Sequence, residues 1–441
     1  MYRSLLPILL CITLCGCRNA PSTLNVALLE PQIDSIAEVA IVGGAFPGCQ
    51  FVISQNGKVL LDKCYGLHSS KRPIAVRSTD LYDLASVTKT TATLPGIMRL
   101  YEQGVVDLDA KVADYLDFYR GSVWEEVTVH DLLMHESGLP STIPFYYSAI
   151  DPASYREPLL SRSRDADHPL QLESELFISR FRYRDGAFTS EPDTRHTLEV
   201  YRDMWLDEAY VDTLKAAIVN YPFSPKHYQY SDIGFISLQW IVEKLTGKPM
   251  AEYLEEEFYK PMGALRTAFV PARCFPLEQI VPTVNDDALR GVDEICGYTQ
   301  DEVAAFMGGT AGEAGLFSTA SDLVRIYQMY LNGGTLDGRR YFKRSTIERF
   351  TTERSTISHR GLGFDRPNLL HPDESPCVAD APAESYGHSG FSGPNVWVDP
   401  VNGLVYAMVC NRVSPYPWNN RLNEMGVFGA MQQAIYSSLE R

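Results

Sequence analysis

The stretch Asp83-Leu84-Ala85-Ser86-Val87-Thr88-Lys89 decides the fold, because the apolar run that follows it, Thr90 to Gln103, has the spacing of a helix. Ser86 and Lys89 are three residues apart, so on a helix they share one face with their Cβ atoms roughly 5–6 Å apart. If the helix begins at Ser86, its unpaired N–H groups and its dipole favour an alkoxide on the serine and disfavour an ammonium on the lysine. The stretch therefore predicts an activated serine.

Position on the helix is not enough to make Lys89 a base near neutral pH. Its pKa would have to fall from about 10.4 to about 7, which corresponds to roughly 4–5 kcal/mol. A helix dipole contributes only about 0.3–1 kcal/mol, so burial and nearby cations must contribute most of the shift. The rest of the chain must therefore build a closed pocket. Taken alone, Ser-x-x-Lys is also a common chance pattern.

Strand patterns stand at both ends of the chain. Cys49 to Ser54 and Val59 to Tyr65 flank Asn56-Gly57, a strong two-residue hairpin turn. Near the other end, Tyr386 to Pro400 and Leu404 to Asn411 predict two further antiparallel strands. Strands at both ends with helical patterns between them predict an α/β (α+β) fold, with one antiparallel sheet assembled from the two chain ends and flanked by helices. The middle of the chain is then an inserted, mainly helical lobe.

The domain boundaries follow from these patterns. Residues 1–17 are expected to be a signal peptide, and 18–33 a tether with the start of an N-terminal amphipathic helix over Leu28 to Val39. The catalytic domain spans 34–441, with a sheet lobe over about 34–82 and 300–441 and a helical lobe over about 83–299. Ser141 to Tyr221 is expected to be a variable insertion, with a charged helix over Met204 to Ile218. Asn419 to Leu439 predicts a long closing helix.

Six cysteines lie beyond the first 17 residues, and none of them forms Cys-x-x-Cys or a zinc-like spacing. No metal site is therefore expected, and no cofactor is expected either. Cys49 and Cys64 are symmetric about the Asn56-Gly57 turn, so an unbroken hairpin would place them directly opposite each other, in a hydrogen-bonded pair. A Cys49–Cys64 disulfide is one possibility, and the sequence does not choose among the pairings.

The net charge of −16 and the absence of a basic run argue against nucleic acid and anionic membranes as partners. Leu5 to Cys17 is apolar but far shorter than the ~20 residues of a spanning helix. It is typical of an export signal. Leu14-Cys15-Gly16-Cys17 resembles a bacterial lipoprotein box, which implies a lipid on Cys17 and a location in the periplasm or cell envelope. Simple secretion is the alternative, and a membrane contact is expected only through that lipid.

Two further motifs follow the first one in order. Together, Ser86-Val87-Thr88-Lys89, Tyr230-Ser231-Asp232 and His388-Ser389-Gly390 resemble the three motifs of the serine β-lactamase and penicillin-binding protein superfamily. The likeness is closest to the branch related to class C β-lactamases, with its esterases and D-amino-acid peptidases. Leu132 to Pro140 and Ala314 to Thr319 also look like that branch.

The resemblance implies a role for each motif residue. Ser86 would attack a carbonyl, while Lys89 and the Tyr230 phenol share the proton; which of them is the base stays open. The backbone N–H groups of Ser86 and Phe391 would form the oxyanion hole. The remaining motif residues would contact the substrate: Asp232, His388, Ser389 and Gly390. A side chain at Gly390 would keep the substrate away from the strand.

Two departures from the family pattern bear on the substrate. Asp232 stands where most members have Asn, and His388 replaces a lysine that would hold a substrate carboxylate. Both favour an ester or a peptide over a penicillin. The predicted function is a serine hydrolase that cleaves an ester or an amide of a small molecule or peptide, with cell-wall compounds among the candidates. A true class C-type β-lactamase or a D-Ala-D-Ala carboxypeptidase is the alternative. A non-catalytic, acylatable sensor is another, and the oligomeric state stays open.

Two remaining patterns receive structural interpretations. Gly308 to Gly315 lacks Gly-Lys-Ser/Thr, so it predicts a loop near the active site rather than a phosphate cradle, followed by a helix capped at Ser318 or Thr319. His130 and His135 do not form His-Glu-x-x-His, and both are interpreted as helix-surface histidines.

Overall fold

The computed structural model describes residues 22–440. Its main sheet has five antiparallel strands in the order β3-β4-β5-β1-β2. They are β1 (Gly48–Gln55), β2 (Lys58–Gly66), β3 (Tyr386–Ser389), β4 (Asn395–Asp399) and β5 (Leu404–Cys410). The sheet is built from the two ends of the chain, as the sequence predicts, and β1 and β5 meet in its middle.

The first hairpin forms as predicted, but its register does not. Asn56 and Gly57 both have positive φ, at 51° and 80°, as the tight two-residue turn requires. A bulge after Ile53 then shifts the pairing by one residue, so Cys64 lies opposite Gln50 instead of Cys49. The prediction that the two cysteines face each other is wrong, and both thiols are free. Cys49 lies opposite Cys410 on β5.

The predicted single strand Tyr386 to Pro400 is two strands, β3 and β4. The chain reverses between them, where the Gly390 N–H donates to the Pro394 carbonyl at 2.8 Å and Gly393 has a φ of 118°. Because of this turn, β3 becomes the edge of the sheet, and its end faces the Ser86 stretch.

Helices cover both faces of the sheet. On one face, α1 (Val26–Val42) packs against β2 and against α5 (Val427–Ser437). On the other face, α4 (Ala320–Leu331) packs against β1, β4 and β5, and it begins at the predicted cap Thr319. The long closing helix is interrupted, because Gly426 has a φ of 61° and separates Arg421–Glu424 from α5.

The helical lobe centres on two buried helices, α2 (Leu94–Glu102) and α3 (Asp232–Thr246). They approach closely at Gly96, where a Cβ would lie 3.1 Å from the Val242 side chain. As predicted, α3 ends at Gly247, with a φ of 68°. The shorter α-helices of this lobe are Val112–Tyr115, Val129–Leu133, Ala209–Val219, Met250–Leu254 and Lys260–Met262. Two more follow the lobe in the chain, at Glu302–Phe306 and Arg344–Thr352.

Short strands are the commonest regular elements in the insertion Ser141 to Tyr221. The predicted helix over Met204 to Ile218 is wrong in its first part, because Met204–Asp207 pairs with His196–Tyr201 and the helix begins only at Ala209. The insertion's other strands are Leu160–Ser161, Leu170–Glu173, Leu176–Ile178 and Phe188–Thr189. Between residues 22 and 440, no helix combines the length and hydropathy that crossing a bilayer requires. Cys17 and the predicted signal peptide lie outside the described residues.

Candidate active site

A short strand fixes the position of Ser86. Tyr82–Asp83 pairs with Leu316–Ser318, and the Leu84 N–H donates to the Leu316 carbonyl at 2.9 Å. Ala85 then adopts a φ of 44°, a conformation that residues with a side chain rarely take and that concentrates at functional sites. This turn places Ser86 immediately before the first helical residues. The helix widens to a π turn at Lys89–Thr93 before α2 begins.

Lys89 is fully buried beside the serine. Its Nζ lies 3.2 Å from Ser86 Oγ and 3.1 Å from the Glu313 carbonyl oxygen, so the glycine-rich loop does reach the site, as predicted. The same Nζ lies 2.6 Å from Asp232 Oδ1. Burial lowers the pKa of Lys89, but the Asp232 carboxylate and the Tyr230 phenol raise it, and the net pKa is above the ordinary value of 10.5. The resting lysine is therefore an ammonium, because the carboxylate outweighs the effects that disfavour its charge.

The second motif begins α3. Ser231 is the N-cap of this helix, since its side chain accepts from the Gly234 N–H and donates to the Pro140 carbonyl at 2.7 Å. The cap fixes Asp232 in the first turn, facing Lys89. Tyr230 lies just before the cap, with its ring centroid 4.9 Å from Lys89 Nζ. Burial raises the pKa of Tyr230, so its phenol is protonated at rest.

His135 holds the second motif in place. Its ring stacks on Tyr230 with centroids 4.5 Å apart, and its Nδ1 accepts from the Ser231 N–H at 3.0 Å. Burial lowers its pKa well below the ordinary value, so the ring is neutral. The prediction of a helix-surface histidine is wrong, because the helix ends at Leu133 and His135, with a φ of 57°, turns inward. The family-like segment Leu132 to Pro140 was the signal that pointed here.

The third motif brings the edge strand to the serine. A Cβ on Gly390 would lie 2.4 Å from the Leu84 carbonyl oxygen, so only glycine lets the end of β3 approach the Ser86 turn. The sequence predicted this glycine for substrate access, whereas its closest neighbour is the protein's own backbone. Among residues 22–440, the N–H groups of Ser86 and Phe391 donate to no acceptor. Both remain available to an oxyanion.

His388 is a buried, neutral residue of this strand. Its Nδ1 bonds to the Ser389 carbonyl at 2.7 Å, and its Nε2 has no partner among residues 22–440. Burial lowers its pKa to about 4, although the Asp365 carboxylate opposes the shift. The ring centroids of His388 and Tyr230 are 6.3 Å apart. His388 therefore supplies a hydrogen-bonding group but no positive charge at neutral pH.

An ion pair behind His388 was not found from the sequence. Arg360 contacts the Asp365 carboxylate, and its guanidinium carbon lies 4.8 Å from the Tyr230 ring centroid. Burial raises the pKa of Asp365, but Arg360 holds it well below the usual range. The Asp365 backbone exchanges two hydrogen bonds with Gly387, at 2.8 and 3.0 Å. The pair belongs to no local motif, so only the tertiary structure shows it.

Two clefts meet at Phe391 and Arg412. The first, which we call the nucleophile cleft, has a volume of about 340 Å³. It is lined by Ser86, Tyr230, Arg360, Asp365, His388, Ser389, Gly390, Phe391, Arg412, Leu422, Asn423 and Phe428. The second, which we call the side cleft, has a volume of about 510 Å³. It is lined by Thr142, Tyr146, Leu172, Glu173, Ser174, Asp232, Gln300, Asp301, Glu302, Val303, Phe391, Arg412, Pro417, Trp418 and Asn420.

Charges are distributed unevenly around these clefts. Burial raises the pKa of Asp301 to about 6, with a contribution from Asp232, and that of Glu302 to about 8, with a contribution from Asp301. Arg412 donates through Nε to the Phe391 carbonyl and through Nη1 to the Pro417 and Asn419 carbonyls. Within residues 22–440 no carboxylate lies within ion-pairing distance of Arg412, so its positive charge is unpaired next to the Phe391 backbone.

The described residues bring all eight predicted site residues together: Ser86, Lys89, Tyr230, Asp232, His388, Ser389, Gly390 and Phe391. A serine hydroxyl lies beside an amine, a phenol lies close by, and two free N–H groups can receive a developing negative charge. This arrangement is suited to acyl transfer through a serine ester.

Comparisons with known proteins agree on one family. A family model described as Beta-lactamase matches residues 33–424. The N-acetylmuramyl-L-alanine amidase of Bacillus subtilis (strain 168) is 29% identical over 93% of this chain and 89% of its own. A putative D-alanyl-D-alanine carboxypeptidase of Escherichia coli (strain K12) is 26% identical over 95% of this chain and 92% of its own. The crystal structure of a penicillin-binding protein homologue from Caulobacter crescentus superposes with a TM-score of 0.60 at 20% identity, covering 96% of this chain and 100% of that one.

Proposed function

Because the chain belongs to the β-lactamase family and is therefore a serine hydrolase, we propose that it cleaves an amide bond of cell-wall-derived compounds through an ester on Ser86. The observation that carries the proposal is the Ser86 Oγ to Lys89 Nζ distance of 3.2 Å beside two free N–H groups. The two relatives support the bond type, since one is named an amidase and the other a carboxypeptidase, and both names refer to cell-wall compounds.

The first half of the reaction depends on the neutral amine form of Lys89. The lysine must lose a proton to solvent before it can accept one, and the Asp232 carboxylate 2.6 Å away opposes this loss because it stabilises the ammonium. The neutral amine then takes the Ser86 proton as the oxygen attacks the substrate carbonyl. The N–H groups of Ser86 and Phe391 hold the oxyanion. When the carbon–nitrogen bond breaks, Tyr230 gives its proton to the leaving amine and is reprotonated by Lys89.

The second half returns the site to its resting state. Water enters where the amine has left, loses a proton to the Tyr230 and Lys89 pair, and adds to the ester carbonyl. Collapse of this intermediate frees the carboxylic acid, and Ser86 recovers its proton. The same two N–H groups hold both oxyanions, so one arrangement serves both halves.

Features of the site favour amides and esters over penicillins. His388 is neutral at pH 7, so it supplies no cation for a penicillin carboxylate at the position where the family's β-lactamases have lysine. Asp232 is engaged with Lys89, so it presents no amide to a substrate carbonyl. A true β-lactamase and an acylatable sensor are the competing functions.

A substrate panel tests the proposal. Purified protein and Ser86→Ala are assayed with p-nitrophenyl esters, nitrocefin, a peptide ending in D-alanyl-D-alanine and N-acetylmuramyl-L-alanine. We expect turnover of the esters and of at least one cell-wall amide, slow or absent turnover of nitrocefin, and no turnover by Ser86→Ala. A fluorophosphonate should label Ser86 alone. Labelling that survives in Ser86→Ala would remove the nucleophile assignment, and labelling without turnover of any substrate would favour the sensor.

We also propose that the protein is exported and held at the cell envelope by a lipid on Cys17. The support is the apolar segment that ends in Leu14-Cys15-Gly16-Cys17. A cell-wall substrate is compatible with this location.

A further inference from the structure

The two clefts receive opposite halves of the substrate. The departing amine must lie beside its proton donor, and Tyr230 lines the nucleophile cleft but not the side cleft. The leaving half therefore occupies the nucleophile cleft. The acyl half extends the other way, past Asp232 and Phe391, into the side cleft. The walls of the side cleft thus select the acyl group.

One wall of the side cleft is aromatic. Trp418 is half-buried and stacks on Tyr416, with ring centroids 5.0 Å apart and planes 17° apart. Tyr416 is 42% exposed and Trp418 lines the cleft, so the stack connects the cleft wall with the protein surface. Tyr146, from the insertion, contributes a second ring to the lining. Flat rings in an open cleft offer a surface for a flat, partly apolar group.

The other wall presents hydrogen-bonding groups that can still bind a ligand. Gln300 is only 8% exposed, yet its side-chain amide makes no hydrogen bond with any of residues 22–440. Glu173, Asp301 and Glu302 supply acceptors, and Arg412 supplies donors. An amide that lines a cleft and has no partner among these residues is free to donate to a ligand and to accept from it.

We propose that the side cleft binds a sugar ring carried on the acyl half of the substrate. The apolar C–H face of a pyranose packs on Trp418, while its hydroxyl groups donate to the carboxylates and accept from Gln300 and Arg412. The inference rests on the proposed function and narrows it to an amide between a sugar-bearing acid and an amine. The cleft volume of about 510 Å³ is within the range of small-molecule sites, roughly 300–1,000 Å³.

A cationic acyl group is the competing ligand for a cleft with several carboxylates. Arg412 lines the same cleft without a carboxylate partner and would repel such a group. Glu302, whose pKa burial raises to about 8, is largely neutral at pH 7 and then both donates and accepts. A neutral polyhydroxylated ring matches this combination of carboxylates, a neutral carboxyl group and a guanidinium better than an ammonium does.

The test compares a substrate that carries the sugar with one that lacks an extended acyl group. Wild type, Trp418→Ala, Trp418→Phe and Gln300→Ala are assayed on N-acetylmuramyl-L-alanine and on p-nitrophenyl acetate. We expect Trp418→Ala to lower kcat/KM for the sugar substrate by about tenfold, the scale of one lost aromatic contact. Gln300→Ala should also lower kcat/KM for the sugar substrate, and Trp418→Phe should retain most of the wild-type value.

All variants should keep kcat/KM for p-nitrophenyl acetate within about twofold of wild type. Tyr221→Ala, an exposed aromatic outside both clefts, is the matched control and should change neither rate.

Each contrary result is distinct. Equal losses on both substrates would show that Trp418 only supports the fold and would overturn the inference. Cleavage of a D-alanyl-D-alanine peptide, with or without a lysine side chain, but not of the sugar substrate would overturn the inference and leave the proposed function intact. If no amide is cleaved, the sugar site is tested by calorimetry, which measures the binding of N-acetylmuramic acid to Ser86→Ala. Saturable binding that Trp418→Ala weakens supports the sugar site, and absence of binding at millimolar concentration rejects it.

Discussion

Asp232 controls the charge of the lysine beside the nucleophile. The Asp232 carboxylate raises the Lys89 pKa, so the amine form appears only at high pH. Removing the carboxylate should lower that pKa by roughly a unit or more, the usual effect of one nearby opposite charge. We therefore expect Asp232→Asn to move the acid limb of kcat/KM to lower pH.

The measurement is a pH–rate profile of both proteins on one p-nitrophenyl ester. Lys244→Gln, a surface lysine variant on the same helix, is the control and should leave the limb where it is. An acid limb that stays in place or rises in Asp232→Asn would contradict the charge coupling.

His135 should act on rate through Tyr230. His135→Phe keeps a ring against the phenol but leaves the buried Ser231 N–H without its acceptor, a loss of about 1–3 kcal/mol. We expect kcat to fall by roughly tenfold or more while KM changes little, because the proton donor is displaced and the substrate walls are intact. Steady-state kinetics test this, with His130→Phe, which lies outside both clefts, as control. Equal effects of the two variants would reject a positioning role.

At this scale, local motifs were predictable and tertiary partners were not. Ser86 and Lys89 are three residues apart, so helical geometry alone brings them together. Arg360, Asp365 and Arg412 acquire their roles only because distant segments fold against the motifs. Their sequence neighbourhoods carry no pattern that distinguishes them from ordinary surface charges.

Among the elements, the hairpin formed by Leu170–Glu173 and Leu176–Ile178 bears most directly on selectivity. Its tip carries Leu172, Glu173 and Ser174 into the side cleft, while Ile178 is buried in the core. Shortening the tip and keeping Phe177 and Ile178 should change kcat/KM for N-acetylmuramyl-L-alanine by roughly tenfold relative to p-nitrophenyl acetate. The melting temperature should change by only a few degrees.

Kinetics on the two substrates and a thermal melt check this prediction. A shortened tip that unfolds the protein, or that leaves the substrate ratio unchanged, would contradict it. Shortening the surface turn at Gly338, which is remote from both clefts, is the control.

Elements themselves were easier to predict than their pairing. The Asn56-Gly57 turn and the helix stop at Gly247 have local chemical causes, and both are confirmed. The bulge after Ile53 lies in a strand that pairs with both β2 and β5, and no local pattern marks it. The insertion resisted prediction because its short strands pair only with each other and lack a long periodic pattern.

For the whole molecule, the sheet assembled from both chain ends and the family are confirmed. The anchor remains a prediction. Lipid on Cys17 would be the only membrane contact that the sequence provides, so Cys17→Ala should move the protein from the membrane fraction to the soluble one. Fractionation followed by immunoblotting measures this, with Cys15→Ala as the control that keeps the modified thiol. Equal membrane association of Cys17→Ala and wild type would contradict the anchor.

The central pairing of β1 with β5 also determines when the sheet can form during synthesis. Cys49 meets Cys410, so the sheet cannot close until almost the whole chain has been synthesised. Loop-closure entropy makes such remote pairing slow, and folding rates fall as contacts become more distant in sequence. Ser86 and Lys89 leave the ribosome early, but the N–H of Phe391 arrives only with the last strands. A nascent or truncated chain thus carries Ser86 and Lys89 without the Phe391 N–H, so we expect hydrolysis to begin only when synthesis is complete.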